Sequence, residues 1–182
     1  MKLQIAVIGS AGPEEYDYKK PNTKMYAVAE DLGAELAKKN CIVLMGGKGG
    51  IMESAAKGAK MSGGITAGEV SGIERGSANK YVDIEVVTGD LALRGPSQLI
   101  GMCDGAIAIG GGAGTLQELA VAYRLQKPVV LISGYGGWTD KIATMDFMDE
   151  RRSIQFLSAT SAKEAVQKLL SQINVDDFEV KQ

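Results

Sequence analysis

Ile109-Gly110-Gly111-Gly112-Ala113-Gly114-Thr115-Leu116-Gln117-Glu118 carries an apolar run into an amphipathic one across four glycines. Upstream, Asp104-Gly105-Ala106-Ile107-Ala108-Ile109 reads as a short buried strand. Downstream, Leu116, Leu119, Ala120 and Tyr123 recur at helical spacing. Strand, glycine turn and helix in that order form the unit of a parallel α/β fold, and the turn is shaped to hold a phosphate. Glycines have no Cβ, so the main chain can approach a ligand closely. Free amides and the positive end of the helix dipole then favour an anion. The amides of Gly111, Gly112, Ala113, Gly114 and Thr115 are the expected contacts. Thr115 is also the expected helix N-cap, and with Glu118 three residues on it reads as a capping box; the two readings are compatible. No strict G-x-G-x-x-G and no G-x-x-x-x-G-K-[ST] is present, so neither a dinucleotide fingerprint nor an NTPase P-loop is supported.

The same unit recurs along the chain. Leu3 to Ile8 is an apolar run ended by Gly9-Ser10-Ala11-Gly12-Pro13, and Thr23 to Lys39 carries one apolar face (Tyr26, Ala29, Leu32, Leu36, Ala37). Cys41 to Met45 is a buried strand running into Gly46-Gly47-Lys48-Gly49-Gly50, with a helix expected over Ile51 to Met61. Ile65 to Val70 is a further strand. Val82 to Val87 alternates apolar residues with Asp83 and Glu85, as a strand near an edge does. A short helix is expected to start near Pro96. Pro128 to Ile132 is another strand, ending in Gly134-Tyr135-Gly136-Gly137-Trp138, and Ser161-x-x-Glu164 caps a last helix bearing Val166, Leu169, Leu170 and Ile173. This alternation predicts a single-domain, Rossmann-like, doubly wound parallel sheet over residues 1–182, with helices on both faces. The loops around Gly9, Gly46, Gly111 and Gly134 all follow strands, so they are expected to converge on one crevice.

Composition narrows the function classes. A chain of 182 residues, 45% hydrophobic, suffices for one full core and is short for two. Its formal charge of −2 offers no basic field for nucleic acid, and no apolar run reaches the ~20 residues needed to span a bilayer. Two cysteines, Cys41 and Cys103, lie at apolar runs without metal-ligand spacing, and a cytoplasmic location is expected. The absence of histidine removes a Ser-His-Asp triad and histidine-based zinc sites, and no carboxylate cluster suggests another metal. Catalysis, if any, rests on carboxylates, Arg, Lys, Tyr or main-chain dipoles. Tyr16, Tyr18, Lys19 and Lys20 form a polar loop over the first strand's exit. Asp149-Glu150-Arg151-Arg152 reads as a solvated helix end.

Gly111 to Glu118 resembles most of the P-G-G-x-G-T-x-x-E signature of the Lonely Guy (LOG) family of phosphoribohydrolases. Gly46-Gly47 with Gly50-Ile51-Met52 is similar to that family's G-G-x-x-G-[LI]-M segment, Gly9-Ser10 to its first loop, and Arg94 to the arginine before the motif. Gly110 at the proline position, and the segment Ala78 to Ile84, resemble the branch akin to algal molybdenum-cofactor carriers. Gly95-Pro96 after Arg94 departs from both. The resemblance implies a homodimer or larger homo-oligomer, with the Met-bearing helix Ile51 to Met61 as a candidate pairing face. Nothing supports the pyridoxal-phosphate chemistry of a lysine decarboxylase, a label such proteins often carry.

Two functions follow from the resemblance and the glycine loop. In the first, a nucleoside 5′-monophosphate lies on the amides of Gly111 to Thr115, with Gly9, Ser10, Gly46, Gly47 and Lys48 as further binding residues. Water attacks the anomeric carbon, Glu118 stabilises the oxocarbenium-like transition state or activates the water, and Arg94 grips phosphate or ribose. No cofactor is required for that hydrolysis. In the second, the same amides hold the terminal phosphate of a molybdenum cofactor or another phosphorylated metabolite without cleavage. Glu118 as a cap and Arg94 as a surface ion pair are the plain structural alternatives.

Overall fold

A computed structural model describes residues 1–12, 23–89 and 95–173. Seven strands form one wholly parallel sheet in the order β4-β3-β2-β1-β5-β6-β7. They are β1 (Gln4–Gly9), β2 (Ile42–Met45), β3 (Ile65–Val70), β4 (Ile84–Val87), β5 (Gly105–Ile109), β6 (Val129–Ile132) and β7 (Leu157–Ala159). Strand order grows in one direction from β1 to β4 and in the other from β5 to β7, so the chain reverses between β1 and β5. At such a switch point the flanking loops diverge and leave a crevice at the carboxyl ends. Gly9 and Gly110 lie at this point.

Helices cover both faces, as continuous burial of β5 and β6 requires. On one face α1 (Thr23–Lys38), α2 (Ile51–Met61) and α6 (Ala162–Gln172) pack on Ile5, Val7, Val43, Met45, Ile107 and Val130. On the other, α3 (Gly95–Met102), α4 (Ala113–Arg124) and α5 (Gly137–Ile142) lie over Ala6, Ile8, Leu44, Ala106, Ala108 and Leu131. Strand alternation sends neighbouring residues to opposite faces, which is why Ile5 and Ala6 belong to different cores. The apolar side of α2 (Ile51, Ala55, Ala56 and Ala59) is buried within the chain. The methionines of the helix lie off that side: Met52 is partly exposed and Met61 largely so.

Three local expectations are corrected. Helix α4 begins at Ala113, three residues before the expected start, with Gly112 as an N-cap that makes no side-chain capping bond. Thr115 thus lies inside the first turn and Glu118 a turn further on, so no capping box forms there. Asp149 to Arg152 is a turn, not a helix end: Tyr123 donates its hydroxyl to Asp149 Oδ1 (2.9 Å) and Arg151 Nη2 lies 2.5 Å from Asp149 Oδ2. At Ser161, by contrast, the cap is as expected. Its hydroxyl accepts from the Glu164 amide (3.3 Å), while the Glu164 carboxylate accepts from the amide of Thr160 (2.8 Å).

Candidate functional site

The glycine turn after β5 is held from behind. The Gly110 carbonyl accepts from the amide and hydroxyl of Thr139 (3.1 and 2.6 Å), and the Gly111 carbonyl accepts from the Trp138 amide (2.9 Å). Carbonyl oxygens would repel a phosphate; here they are turned into the start of α5. That reversal needs Gly110 at φ 64° and Gly111 at φ 94°, a region that residues with a Cβ rarely occupy. A Cβ on Gly111 would also lie 2.4 Å from the Thr115 side chain, which is buried beneath the turn.

The outer side of the turn is open. Ala113 and Gly114 are exposed, and a Cβ added at Gly112 or Gly114 would meet nothing within 4 Å. The first amides of α4 have no intrahelical acceptor and no capping side chain, and they lie at the positive end of the helix dipole, an arrangement that favours an anion. Gly111 differs from its neighbours. Its amide donates to Ser10 Oγ (2.8 Å) and fastens this turn to the loop after β1. Ser10 also donates its amide to Ile109 (3.3 Å) and accepts from the Ile51 amide at the start of α2 (3.0 Å). Gly9 permits this closeness: a Cβ there would lie 2.2 Å from the Ile109 carbonyl oxygen.

Gly46, Gly47 and Lys48 belong to a different part of the crevice. Asn79 binds this loop by donating its side-chain amide to the carbonyls of Gly47 (3.1 Å) and Lys48 (2.9 Å), and the exposed Lys48 lines a cleft of about 740 Å³. That cleft runs between α1 and α2 and the segment before β4, and its lining includes Gly12, Tyr26, Glu53, Asn79 and Tyr81 but none of the α4 turn. The β1 loop borders both: Gly12 faces the cleft and Ser10 holds Gly111. Sequence reading missed the cleft because its walls come from four separate segments. Tyr135 and Trp138 pack on the cores, and Lys141 Nζ lies 4.4 Å from the Trp138 ring. Arg94 lies outside the described residues, as do Pro13, Tyr16, Tyr18, Lys19 and Lys20.

Glu118 is partly buried one turn beyond the amides. Burial chiefly, and then the charge of Glu69 on β3, push its carboxyl up to about 8. It therefore holds its proton more tightly than an ordinary carboxyl. The native chain therefore holds a proton that the unfolded chain releases above the ordinary value of 4.5, so stability is fullest below that pH and declines as pH rises through about 8. Glu118→Gln is expected to flatten this decline. With screening by water at the partly open side chain, the gain at pH 8 should be on the order of 2 kcal/mol, or roughly 5 °C in Tm. Thermal unfolding at pH 5 and pH 8 checks it, and an unaltered pH difference would contradict the buried-acid reading.

A family model, the SLOG cluster4 family, matches residues 2–166. The chain belongs to the SLOG cluster4 family. A protein from Archaeoglobus fulgidus is 33% identical over 141 residues, covering 74% of this chain and 87% of that one. This SLOG cluster4 fold superposes on TM1055, a structural-genomics target, with TM-score 0.85 and 34% identity over 95% of this chain and 100% of that one. The molybdenum cofactor binding protein of Rippkaea orientalis gives 0.78 at 28% identity, covering 96% and 99%. The molybdenum cofactor carrier protein of Chlamydomonas reinhardtii gives 0.77 at 30%, covering 94% and 99%. The Rossmann-like expectation is thus met, and among these neighbours those named for a ligand are cofactor binders. Among the described residues no helix is long and apolar enough to cross a membrane, and no group of three or more metal-ligating side chains occurs.

Proposed function

We propose that this protein binds and carries a small phosphorylated ligand of molybdopterin type, seating its phosphate on the amides of Gly112 to Thr115. The observation that carries the reading is the uncapped, solvent-open start of α4 beside the switch point, with its carbonyls turned away. Similarity to proteins named as molybdenum cofactor carriers supports the ligand class. On this reading the protein is a single-domain, cytoplasmic homo-oligomer without affinity for nucleic acid. Its two cysteines are free and buried, which suits a reducing compartment.

The hydrolase reading is kept for one reason: Glu118 lies on the same helix as the amides, one turn along. Both readings meet in one experiment. Purified protein is passed through gel filtration with molybdenum cofactor, and the oxidised pterin's fluorescence is followed in the protein peak. In parallel it is incubated with nucleoside 5′-monophosphates and assayed for free base. Co-elution of pterin with no base release is the expected result. Base release that Glu118→Gln abolishes, without pterin retention, would replace the carrier by a phosphoribohydrolase.

A further inference from the structure

We propose that the cleft between α1 and α2 is the ring-binding half of this site, and that Glu53 in it reads the aminopyrimidinone edge shared by pterins and guanine. The proposal rests on the phosphate seat described above and adds to it a determinant of which ring is carried. About 740 Å³ is within the usual range for a small-molecule pocket and far exceeds one fused bicycle. Tyr26 on α1 and Tyr81 before β4 supply aromatic surface from two separate walls. Both are partly buried and packed on the core, so their rings are held in place for stacking.

The charged and amide groups around these rings, other than Glu53, are engaged. Lys57 Nζ lies 2.9 Å from Glu30 Oε2, so these two charges neutralise each other. Asn79 donates to two carbonyls of the β2 loop and accepts from the Tyr81 amide (3.1 Å), which uses both its donors and one acceptor site. Lys48 also has an interaction of its own. Glu53 differs: it lines the same cleft, is only partly exposed, and has no hydrogen-bond or ion-pair partner among the described residues. Gly49 is opposite it, where a Cβ would lie 3.9 Å from Glu53 Oε2.

A carboxylate accepts through two oxygens and donates nothing. Its natural complement is a pair of adjacent N–H donors on a flat ring edge, and an aminopyrimidinone presents a ring N–H next to a 2-amino group. Adenine, and rings lacking the amino group, cannot match both oxygens. An acid in the first turn of a helix is also favoured by the dipole alone. That explanation requires no discrimination between rings, and the difference is measurable.

Calorimetric titration uses four probes: 6-hydroxymethylpterin phosphate, guanosine 5′-monophosphate, inosine 5′-monophosphate, which lacks only the 2-amino group, and ribose 5-phosphate. Wild type is expected to bind the guanine nucleotide at least about tenfold more tightly than the inosine one, the equivalent of about 1.4 kcal/mol. Glu53→Gln and Glu53→Ala are both expected to erase that preference while leaving ribose 5-phosphate affinity unchanged and lowering Tm by no more than about 3 °C through the lost dipole interaction. Equal binding of the two nucleotides by wild type, or an undiminished preference in both variants, overturns the proposal. The stronger of pterin phosphate and guanosine monophosphate names the source of the edge, and either order supports it. If Glu53→Gln loses the preference but Gly114→Asp binds every probe normally, the phosphate seat is wrong and the ring assignment stands. The converse pattern rejects Glu53 alone.

Discussion

Alanine at Gly58 is expected to cost about 3 kcal/mol of stability, and alanine at Gly33 nearly as much. Helices α1 and α2 cross at these residues. A Cβ at Gly58 would lie 1.8 Å from the Glu30 carbonyl oxygen, and one at Gly33 would lie 1.9 Å from that of Ala55. Both obstacles are main chain, so no rotamer change relieves them and the helices must separate. Glu30 and Lys57 stand at this crossing and wall the cleft, so ring binding should weaken together with stability. Gly101 in α3 is the control, since nothing lies within 4 Å of its added Cβ. There alanine should stabilise by about 0.5 kcal/mol through helix propensity. Chemical denaturation of the three variants decides the matter, and a Gly58→Ala protein as stable as Gly101→Ala would refute the close crossing.

The second large effect is on the ligand alone. Gly114→Asp places a carboxylate at the second residue of α4, in the open space over the amides. The helix tolerates it, because an acid in the first turn suits the dipole and is worth about 0.5 kcal/mol. The phosphate does not, since its seat is then filled by a group of the same sign. Affinity for any phosphomonoester should fall at least about a hundredfold, near 2.7 kcal/mol, with Tm unchanged or slightly raised. Titration of wild type and variant with ribose 5-phosphate tests this, and equal affinities would place the phosphate elsewhere.

Much of the fold could be read in advance because each buried strand meets its glycine loop abruptly. Cys41 to Met45 running into Gly46-Gly47, and Ile109 into Gly110, carry both the strand and its end in a few residues. Asp83 and Glu85 pointed to a strand with a wetter face or near an edge, and β4 is an edge strand. Its exposure runs opposite to that alternation: Ile84 and Val86 are exposed, while Glu85 is partly buried and accepts amides of Gly76, Ser77 and Ala78. Elsewhere the pattern had too few residues to register. Strand β7 is three residues long after a polar stretch, and α5 is six residues beginning at a glycine, so turn chemistry hid it.

The start of α4 shows a different limit. Thr-x-x-Glu has the same spacing whether it begins at the cap or inside the first turn, and only the extended backbone of Gly112 selects the second. For the site, the glycine loops announced open, consecutive amides at a helix start, which is a local property of the chain. The cleft was not announced. Tyr26, Glu53, Asn79 and Tyr81 are brought together by the crossing of α1 and α2 and by the return of the chain to β4, and no spacing along the sequence encodes that meeting.

Ser10 joins three neighbouring segments through one short side chain and its own peptide groups: the end of β5, the first amide of α2 and the Gly111 amide. None of these bonds depends on a long or charged group, so the framework of the crevice is written almost entirely in main chain. Apart from Thr139 and Asn79, which brace the loops after β5 and β2, few side chains are needed to keep that framework in shape. A scaffold of that kind is suited to evolutionary retooling, in which cargo changes while the handle that grips it stays the same.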